Sequence, residues 1–298
     1  MKKAKSIGIS LFLMLVVLLL SACGNGDASE EDNEDSKEIQ KSITISGSSA
    51  MQPLVAAAAA QYMEEFDKDI IVNAGGSGTG LSEVSDGTVN IGNSDVFAEE
   101  KEGITANELI DHKVAVVGIT GAINPEAGVE NLSKEDLIKV FTGEIKNWAD
   151  VGGEDQEIVL VNRPDSSGTR DTFVNHALDG ATPTEGITED SSNTVRKIVQ
   201  ETPGAIGYLA LSYFNDDSVI PLSIDNIEAT DENIQSGEFP IWAYQHSYTK
   251  GEPTELEKEF LDYMMSDDVQ NTLLAEQGYI SATKMEVERD AKGNETVK

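Results

Sequence analysis

The chain has very little cysteine, histidine and positive charge. Cys23 is its only cysteine, so no disulfide can form within the chain and no thiolate cage is available for a metal. None of its three histidines, His112, His176 and His246, belongs to a His-Glu-x-x-His or similar metal motif. Lysine and arginine total 21 against 54 acidic residues, which gives a net charge of −33. We exclude nucleic acid as a partner, because such a chain cannot neutralise a phosphate backbone.

Several motifs of enzymes and nucleotide-binding proteins are also absent. The glycine-rich segment at residues 75–80 fits neither the Gly-x-x-x-x-Gly-Lys-Ser/Thr loop nor the Gly-x-Gly-x-x-Gly pattern. No Gly-x-Ser-x-Gly nucleophile elbow occurs. We therefore expect no enzyme activity, no cofactor and no metal site. An exported phosphohydrolase that uses Ser49, Ser77 or Ser167 as its nucleophile is the less favoured alternative.

Residues 1–22 have the pattern of a lipoprotein signal peptide. Three lysines precede an apolar run at residues 9–20, which is too short to predict a membrane-spanning helix. Leu20-Ser21-Ala22-Cys23 resembles a bacterial lipobox, so Cys23 is expected to carry lipid, including palmitate, and to become the first mature residue. The alternative is an uncleaved anchor. In both cases we expect the protein outside the cytoplasm, held at the outer face of the cell membrane.

Residues 23–42 are predicted to form an acidic, disordered tether, because they contain too few apolar residues to build a core. Without the three lysines of the signal peptide the mature chain would carry a net charge of −36. That charge would repel a small anion at long range. An anion site in this protein must therefore act through short, desolvated hydrogen bonds.

Helical and strand patterns alternate along the remaining chain of about 260 residues, which is typical of an α/β protein large enough for two domains. The predicted strands are residues 42–46, 70–73, 89–92, 113–120, 157–161, 205–210 and 239–244. The predicted helices are residues 53–66, 81–85, 133–142, 169–178, 193–201, 254–265 and 267–276. Ser49 and Thr105 are each predicted to begin a capping box. The charged tail from about Met285 is expected to be disordered.

The most informative segment is residues 162–170, which place Arg163, two serines, a glycine and a threonine directly before a helical pattern. Arg163 offers a two-pronged charged donor, and the hydroxyls add neutral donors. Gly168 allows close approach of the backbone, and the first N–H groups of the helix favour an anion. The alternative for this segment alone is a polar turn with Arg163 in a surface ion pair.

Two further polar segments and a carboxylate strengthen the prediction of an oxyanion site. Gly47-Ser48-Ser49-Ala50 begins a helix, and Ser77 lies in the glycine-rich loop; each follows a predicted strand. In an open α/β sheet such loops share the carboxyl edge, where ligands bind. Asp95 ends another strand and would suit an anion that carries a proton to donate. Taken singly, Ser49 and Asp95 are also explained as helix caps.

These segments, in this order, resemble those of the phosphate-binding proteins, the extracytoplasmic receptors of the phosphate-specific ABC transporter. The matching motifs are Gly47-Ser48-Ser49-Ala50, Gly76-Ser77-Gly78, Asn93-Ser94-Asp95 and Arg163-x-Asp165-x-Ser167-Gly168-Thr169. Trp148 and Gly204-Ala205-Ile206-Gly207-Tyr208 also match. The resemblance extends from about Ile43 to Ile280.

The resemblance implies a role for each matching residue. The residues expected to bind phosphate are Ser49, Ala50, Ser77, Asp95, Arg163, Ser167, Gly168 and Thr169. Asp95 would accept the proton of hydrogenphosphate and so reject sulfate, and Asp165 would orient Arg163. Some relatives have Thr-Phe where this chain has Ser49-Ala50, so the register could shift by one residue onto Ser48.

The resemblance also implies a two-lobed, class II periplasmic-type solute-binding fold with a two-strand hinge near Val117 and Tyr244. Lobe 1 would comprise residues 43–117 and 244–298, and lobe 2 residues 118–243. Phosphate would be enclosed between the lobes and delivered to a permease and ATPase complex by a monomeric receptor. The alternative within the same class is a receptor for another oxyanion, such as a phosphonate.

Overall fold

The computed structural model describes residues 40–298, which form one compact unit, Gln40–Lys298. The predictions for the signal peptide, for the lipid on Cys23 and for nearly all of the tether lie outside these residues. Within the described part of the chain, no helix is long and apolar enough to cross a membrane.

Strands and helices alternate along most of this unit. The strands are β1 (Ser42–Gly47), β2 (Asp69–Ala74), β3 (Ile91–Ser94), β4 (Leu109–Ile123), β5 (Asn131–Leu132), β6 (Val159–Asn162), β7 (Ile187–Thr188), β8 (Ala205–Ala210), β9 (Ile220–Pro221), β10 (Ser223–Ile224), β11 (Trp242–Lys250), β12 (Val287–Arg289) and β13 (Glu295–Val297). The helices are α1 (Gln52–Glu65), α2 (Ser77–Asp86), α3 (Lys134–Thr142), α4 (Gly168–His176), α5 (Ser192–Glu201), α6 (Asp231–Ser236), α7 (Glu255–Met264) and α8 (Leu274–Glu276).

The main sheet has the strand order β2-β1-β3-β11-β4-β8-β6-β7, with β9 added beside β4. The strands of each half pair in parallel, β1 with β2 and β3, and β6 with β7 and β8. The long strands β4 and β11 run antiparallel between these halves, and Val117 lies opposite Ala243. Because β11 also pairs with β3 and β4 also pairs with β8, these two strands connect both halves.

The sheet brings the carboxyl ends of β1, β3 and β6 toward the amino ends of α1, α2 and α4. Gly47 makes this convergence possible at the end of β1: its φ is +136°, and a Cβ there would lie 2.1 Å from the carbonyl oxygen of Asn93. Behind β6, the rings of Phe173 and Tyr208 stack with centroids 4.6 Å apart. This buried stack supports both α4 and the loop after β6.

The predicted strands and helices are largely confirmed, with differences at several ends. The crossover strand β4 extends well beyond the predicted residues 113–120, and β11 begins three residues later than predicted and continues to Lys250. The last predicted helix begins as a π-helical turn at Val269–Leu273. Helix α2 begins at Ser77, so the second half of the glycine-rich loop is helical.

Both predicted capping boxes at Ser49 and Thr105 are wrong. Neither side chain caps a helix: the N-cap of α1 is Met51, and Thr105 precedes only a short 3₁₀ turn. At α1 the oxygen that accepts from the free amides belongs to Ser48, whose Oγ lies 3.1 Å from the nitrogen of Ala50 and 3.2 Å from that of Met51.

The expectation of a disordered tail is also wrong, because β12 and β13 pair as an antiparallel hairpin. Arg289 anchors this hairpin: its Nη1 donates to the carbonyl of Trp242 at 2.7 Å and its guanidinium stacks over the ring of Trp242. The same side chain pairs with Glu295 at 3.0 Å. These contacts of a buried arginine, together with the burial of Val287, fix a segment whose composition alone indicates disorder.

Candidate functional site

The residues predicted to bind an anion lie together and are buried. The strand ends and helix starts place all eight within one region: Ser49, Ala50, Ser77, Asp95, Arg163, Ser167, Gly168 and Thr169. The structure therefore brings the predicted set together, and within it Ser49 contacts Arg163, 114 positions later in the sequence.

Asp95 is one of two charged centres in this region, and it is only 3% exposed. Its two carboxylate oxygens accept hydrogen bonds from the hydroxyls of Ser48 and Thr169, the second at 2.9 Å. Its backbone N–H donates to Ser77 Oγ at 3.0 Å. Burial raises the pKa of Asp95 above its ordinary value, and these hydroxyls and the nearby Arg163 oppose that rise.

Arg163 is the second charged centre, and it is 2% exposed. Its guanidinium donates through Nη2 to Ser49 Oγ at 3.2 Å and through Nη1 to Ser192 Oγ at 3.1 Å. Nη2 also donates to the carbonyl of Asp190 at 2.7 Å. Burial lowers the pKa of Arg163, but an arginine keeps its charge at any ordinary pH.

The amino ends of α2 and α4 approach each other closely at the same place. Gly78 donates its N–H to the carbonyl of Ser166 at 2.9 Å. A Cβ on Gly168 would lie 2.3 Å from Ser77 Oγ, so only glycine fits there without displacing a site residue. Ser167 caps α4 through its Oγ, which accepts from the N–H of Arg170 at 3.2 Å. Two helix amino ends therefore face one small volume, which favours negative charge.

The role predicted for Asp165 is corrected by its position. Its side chain is 99% exposed and pairs with Arg170 at 3.3 Å, and it makes no ion pair with Arg163. It points outward because it lies in the turn before α4, where the backbone carries it away from the buried guanidinium. Arg163 is oriented by Ser192 and the carbonyl of Asp190 instead.

Sequence reasoning missed several groups that complete the site. Ser192, at the start of α5, contacts both Ser49 and Arg163. The hydroxyl of Tyr213 donates to the carbonyl of Ser49 at 2.5 Å, and the hydroxyl of Tyr208 accepts from the backbone N–H of Arg163 at 2.9 Å. The only sequence signal for Ser192 is a pair of serines before the helical pattern of α5, and alone it indicates only a helix cap.

No direct ion pair involves Asp95 or Arg163 among residues 40–298. In the same residues no group of three or more His, Cys, Asp or Glu side chains could hold a metal ion. The site thus combines a buried cation, a buried carboxylate and neutral donors. This combination suits an oxyanion that also carries a proton.

A domain model of the PBP superfamily matches residues 31–268 of this chain. The phosphate-binding protein PstS of Bacillus subtilis (strain 168) is 61% identical to this chain over 301 residues, which cover 99% of this chain and 100% of that protein. The chain therefore belongs to the family of PstS phosphate-binding proteins, as the order of its motifs predicted.

Solved structures agree with this assignment. A phosphate ABC transporter substrate-binding protein from Clostridium perfringens, solved with bound phosphate, is 29% identical and superposes with a TM-score of 0.75 over 81% of this chain and 99% of that chain. An ABC-type phosphate transport receptor from Vibrio cholerae is 26% identical, with a TM-score of 0.63 over 80% of this chain and 99% of that chain. The predicted α/β solute-binding fold is thereby confirmed.

Proposed function

We propose that this chain binds hydrogenphosphate between Asp95 and Arg163 and delivers it to a membrane ABC permease for import. The chain is the phosphate-binding component of a phosphate ABC transporter and not an enzyme, in keeping with its 61% identity to PstS of Bacillus subtilis. The observation that carries the proposed site is that both charged side chains are buried and their hydrogen bonds within the described residues go to neutral groups. Neither charge is neutralised by a direct partner, so both remain available to the ligand.

Arg163 would pair with the charge of the ligand, and the hydroxyls and helix amino ends would donate to its oxygens. These donors come from Ser49, Ala50, Ser77, Ser167, Gly168 and Thr169. Asp95 would accept the proton of hydrogenphosphate. Sulfate has no proton at neutral pH and would place a lone pair against the carboxylate, and a site built for a donor can reject an analogue without one by roughly 10⁴–10⁵.

Phosphate would enter and leave by a hinge motion of two lobes, residues 43–117 plus 244–298 and residues 118–243. Three contacts join the two proposed lobes around the site. Ser49 contacts Ser192, Asp95 contacts Thr169, and Lys101 pairs with Asp171. The strands β4 and β11 would bend near Val117 and Tyr244, because they alone carry the main sheet from one proposed lobe to the other.

The protein acts outside the cytoplasm, as a binding protein of this family. We further propose that lipid on Cys23 anchors it to the outer face of the membrane and that it works as a monomer beside the permease and its ATPase. Mass spectrometry of the membrane-extracted protein would test the anchor. An unmodified mature amino terminus would contradict it.

Calorimetry on residues 39–298, freed of carried-over ligand by unfolding and refolding, would test the proposed binding. We expect one-to-one phosphate binding at neutral pH and no heat from sulfate. A folded protein that leaves phosphate unbound but binds a phosphonate would replace the proposed ligand with the alternative one. Hydrolysis of a chromogenic phosphate ester would contradict a pure binding role.

A further inference from the structure

The start of helix α5 holds the guanidinium of Arg163 from the side away from Asp165. Two of the three acceptors that the described residues offer this guanidinium belong to residues 190–192, namely the carbonyl of Asp190 and Ser192 Oγ. We infer that Ser192 is a positioning residue for phosphate binding, which fixes Arg163 and links it to Ser49. This inference rests on the proposed function and assigns to Ser192 the role that the sequence indicated for Asp165.

Ser192 is fully buried and makes three contacts that converge on the site. Its Oγ accepts from Arg163 Nη1 at 3.1 Å and lies 3.0 Å from Ser49 Oγ, and its backbone N–H donates to Ser49 Oγ at 3.1 Å. Ser49 Oγ in turn accepts from Arg163 Nη2 at 3.2 Å. The three side chains therefore form a closed triangle, in which the planar guanidinium cannot rotate without losing a contact with one serine.

The triangle joins segments that lie 143 residues apart in sequence. Ser49 belongs to the turn before α1, and Ser192 begins α5. The hydroxyl of Tyr213, which follows β8, donates to the carbonyl of Ser49 at 2.5 Å and fixes the same turn from the α5 side. The position of the guanidinium therefore depends on the contact between Ser49 and Ser192, which joins the starts of α1 and α5.

The nature of the acceptors matters as much as their position. A carboxylate beside Arg163 would orient it but would also neutralise part of its charge. A hydroxyl and a carbonyl orient it and leave the charge uncompensated. Ser192 therefore allows a buried arginine to be held rigidly while it remains a full counter-charge for a dianion.

Ser191 offers a matched control beside Ser192. Its Oγ caps α5 by accepting from the N–H of Thr194 at 3.2 Å, and Arg163 is not among its contacts. Substitution of either serine by alanine removes one hydroxyl at the start of the same helix. Only Ser192→Ala removes a contact to the guanidinium.

The experiment measures phosphate and arsenate affinity by calorimetry, and the melting temperature, for the wild-type chain, Ser191→Ala, Ser192→Ala and Asp165→Asn. We expect Ser192→Ala to weaken both anions by about the same factor, at least tenfold, because it removes a hydrogen bond to a charged group. Ser191→Ala should lower the melting temperature and leave affinity within about twofold of wild type, because only a helix cap is lost. Asp165→Asn should leave affinity unchanged.

A double-mutant cycle with Arg163→Lys distinguishes action through Arg163 from a general disturbance of the site. A lysine cannot reach both serines, so Ser192→Ala should cost less than about twofold in the Arg163→Lys background. Equal losses in both backgrounds, or wild-type affinity in Ser192→Ala, would overturn the inference while phosphate binding by the wild-type chain upholds the proposed function. A wild-type chain that does not bind phosphate would overturn the proposed function and the inference together.

Discussion

Asp95 and Arg163 are both buried charges of one site, but hydroxyl groups donate hydrogen bonds to the first and accept them from the second. Around Asp95 the hydroxyls of Ser48 and Thr169 donate to the carboxylate, whereas around Arg163 those of Ser49 and Ser192 accept from the guanidinium. A hydroxyl can do either, so one kind of side chain hydrogen-bonds to both charges without cancelling them. Burial is therefore compatible with two charges that stay free for a ligand.

The largest effect should come from removing the cationic centre. Arg163→Ala deletes the buried cation that is proposed to pair with the anion, and losing a charged partner in a buried site costs about 4 kcal/mol, or about 10³-fold in affinity. Calorimetry with phosphate and arsenate should show this loss for both anions. A variant that keeps wild-type affinity would show that Arg163 is structural, and its melting temperature would show whether the fold survives.

Removing the anionic centre should change selectivity more than affinity. Asp95→Asn replaces a carboxylate with an amide of the same shape, which no longer repels a lone pair of sulfate. We expect the preference for phosphate over sulfate to fall by at least about a hundredfold, because the repulsive contact that rejects sulfate is gone. Competition of sulfate against radioactive phosphate measures this ratio. Equal losses for the two anions would contradict a proton-accepting role.

The same substitution tests how burial affects Asp95 in the absence of ligand. Burial raises its pKa above the ordinary 3.8, so the folded chain keeps a proton in a pH range where the unfolded chain has lost it. The free energy of unfolding contributed by this group is therefore present at low pH and falls as pH rises above about 4. Urea unfolding of phosphate-free protein at several pH values should show this fall relative to Asp95→Asn. Parallel curves for the two proteins would contradict it.

The smallest effect should come from Asp165, which the family resemblance linked to Arg163. Because its side chain is almost fully exposed and pairs only with Arg170, Asp165→Asn should change phosphate affinity by less than about twofold. Its stability should stay within about 0.5 kcal/mol of wild type. A tenfold loss of affinity would mean that Asp165 reaches Arg163 when phosphate is bound. A carboxylate would then help to orient Arg163, and the site would no longer rely on neutral groups alone at both charges.

The sequence selects residues that the fold brings together, but it does not predict the contacts between them. Polar motifs at strand ends are local features, so Ser49, Ser77, Asp95 and Arg163 could be selected one segment at a time. The partner of Arg163 could not, because Ser192 is adjacent only after β6 and β8 pair and place α5 beside the loop. Asp165 is closer in sequence, but the turn that carries it faces outward.

In the fold as well, elements with local sequence signals are predicted, and an element that depends on tertiary contacts is not. Strand β8 is predicted to the residue because its apolar run and flanking Pro203-Gly204 are local. The C-terminal hairpin is not predicted, since its order depends on tertiary contacts: Val287 is buried in the core, and Arg289 reaches the carbonyl of Trp242, 47 residues earlier in the chain. The composition of a segment does not reveal such tertiary contacts, and the composition of this tail indicates disorder.

The contact between Arg289 and Trp242 affects the fluorescence of the protein. Trp242 is one of two tryptophans in the chain, it begins β11, and the guanidinium of Arg289 lies 4.1 Å from its ring centre. The other, Trp148, is buried and donates to the carbonyl of Gly204 at 2.9 Å. A positive charge over an indole shifts its emission, so bending of β11 under the hairpin would alter one tryptophan and spare the other. The protein thus contains an intrinsic fluorophore at the strand proposed to bend, and substitution of Trp148 by phenylalanine would isolate its signal.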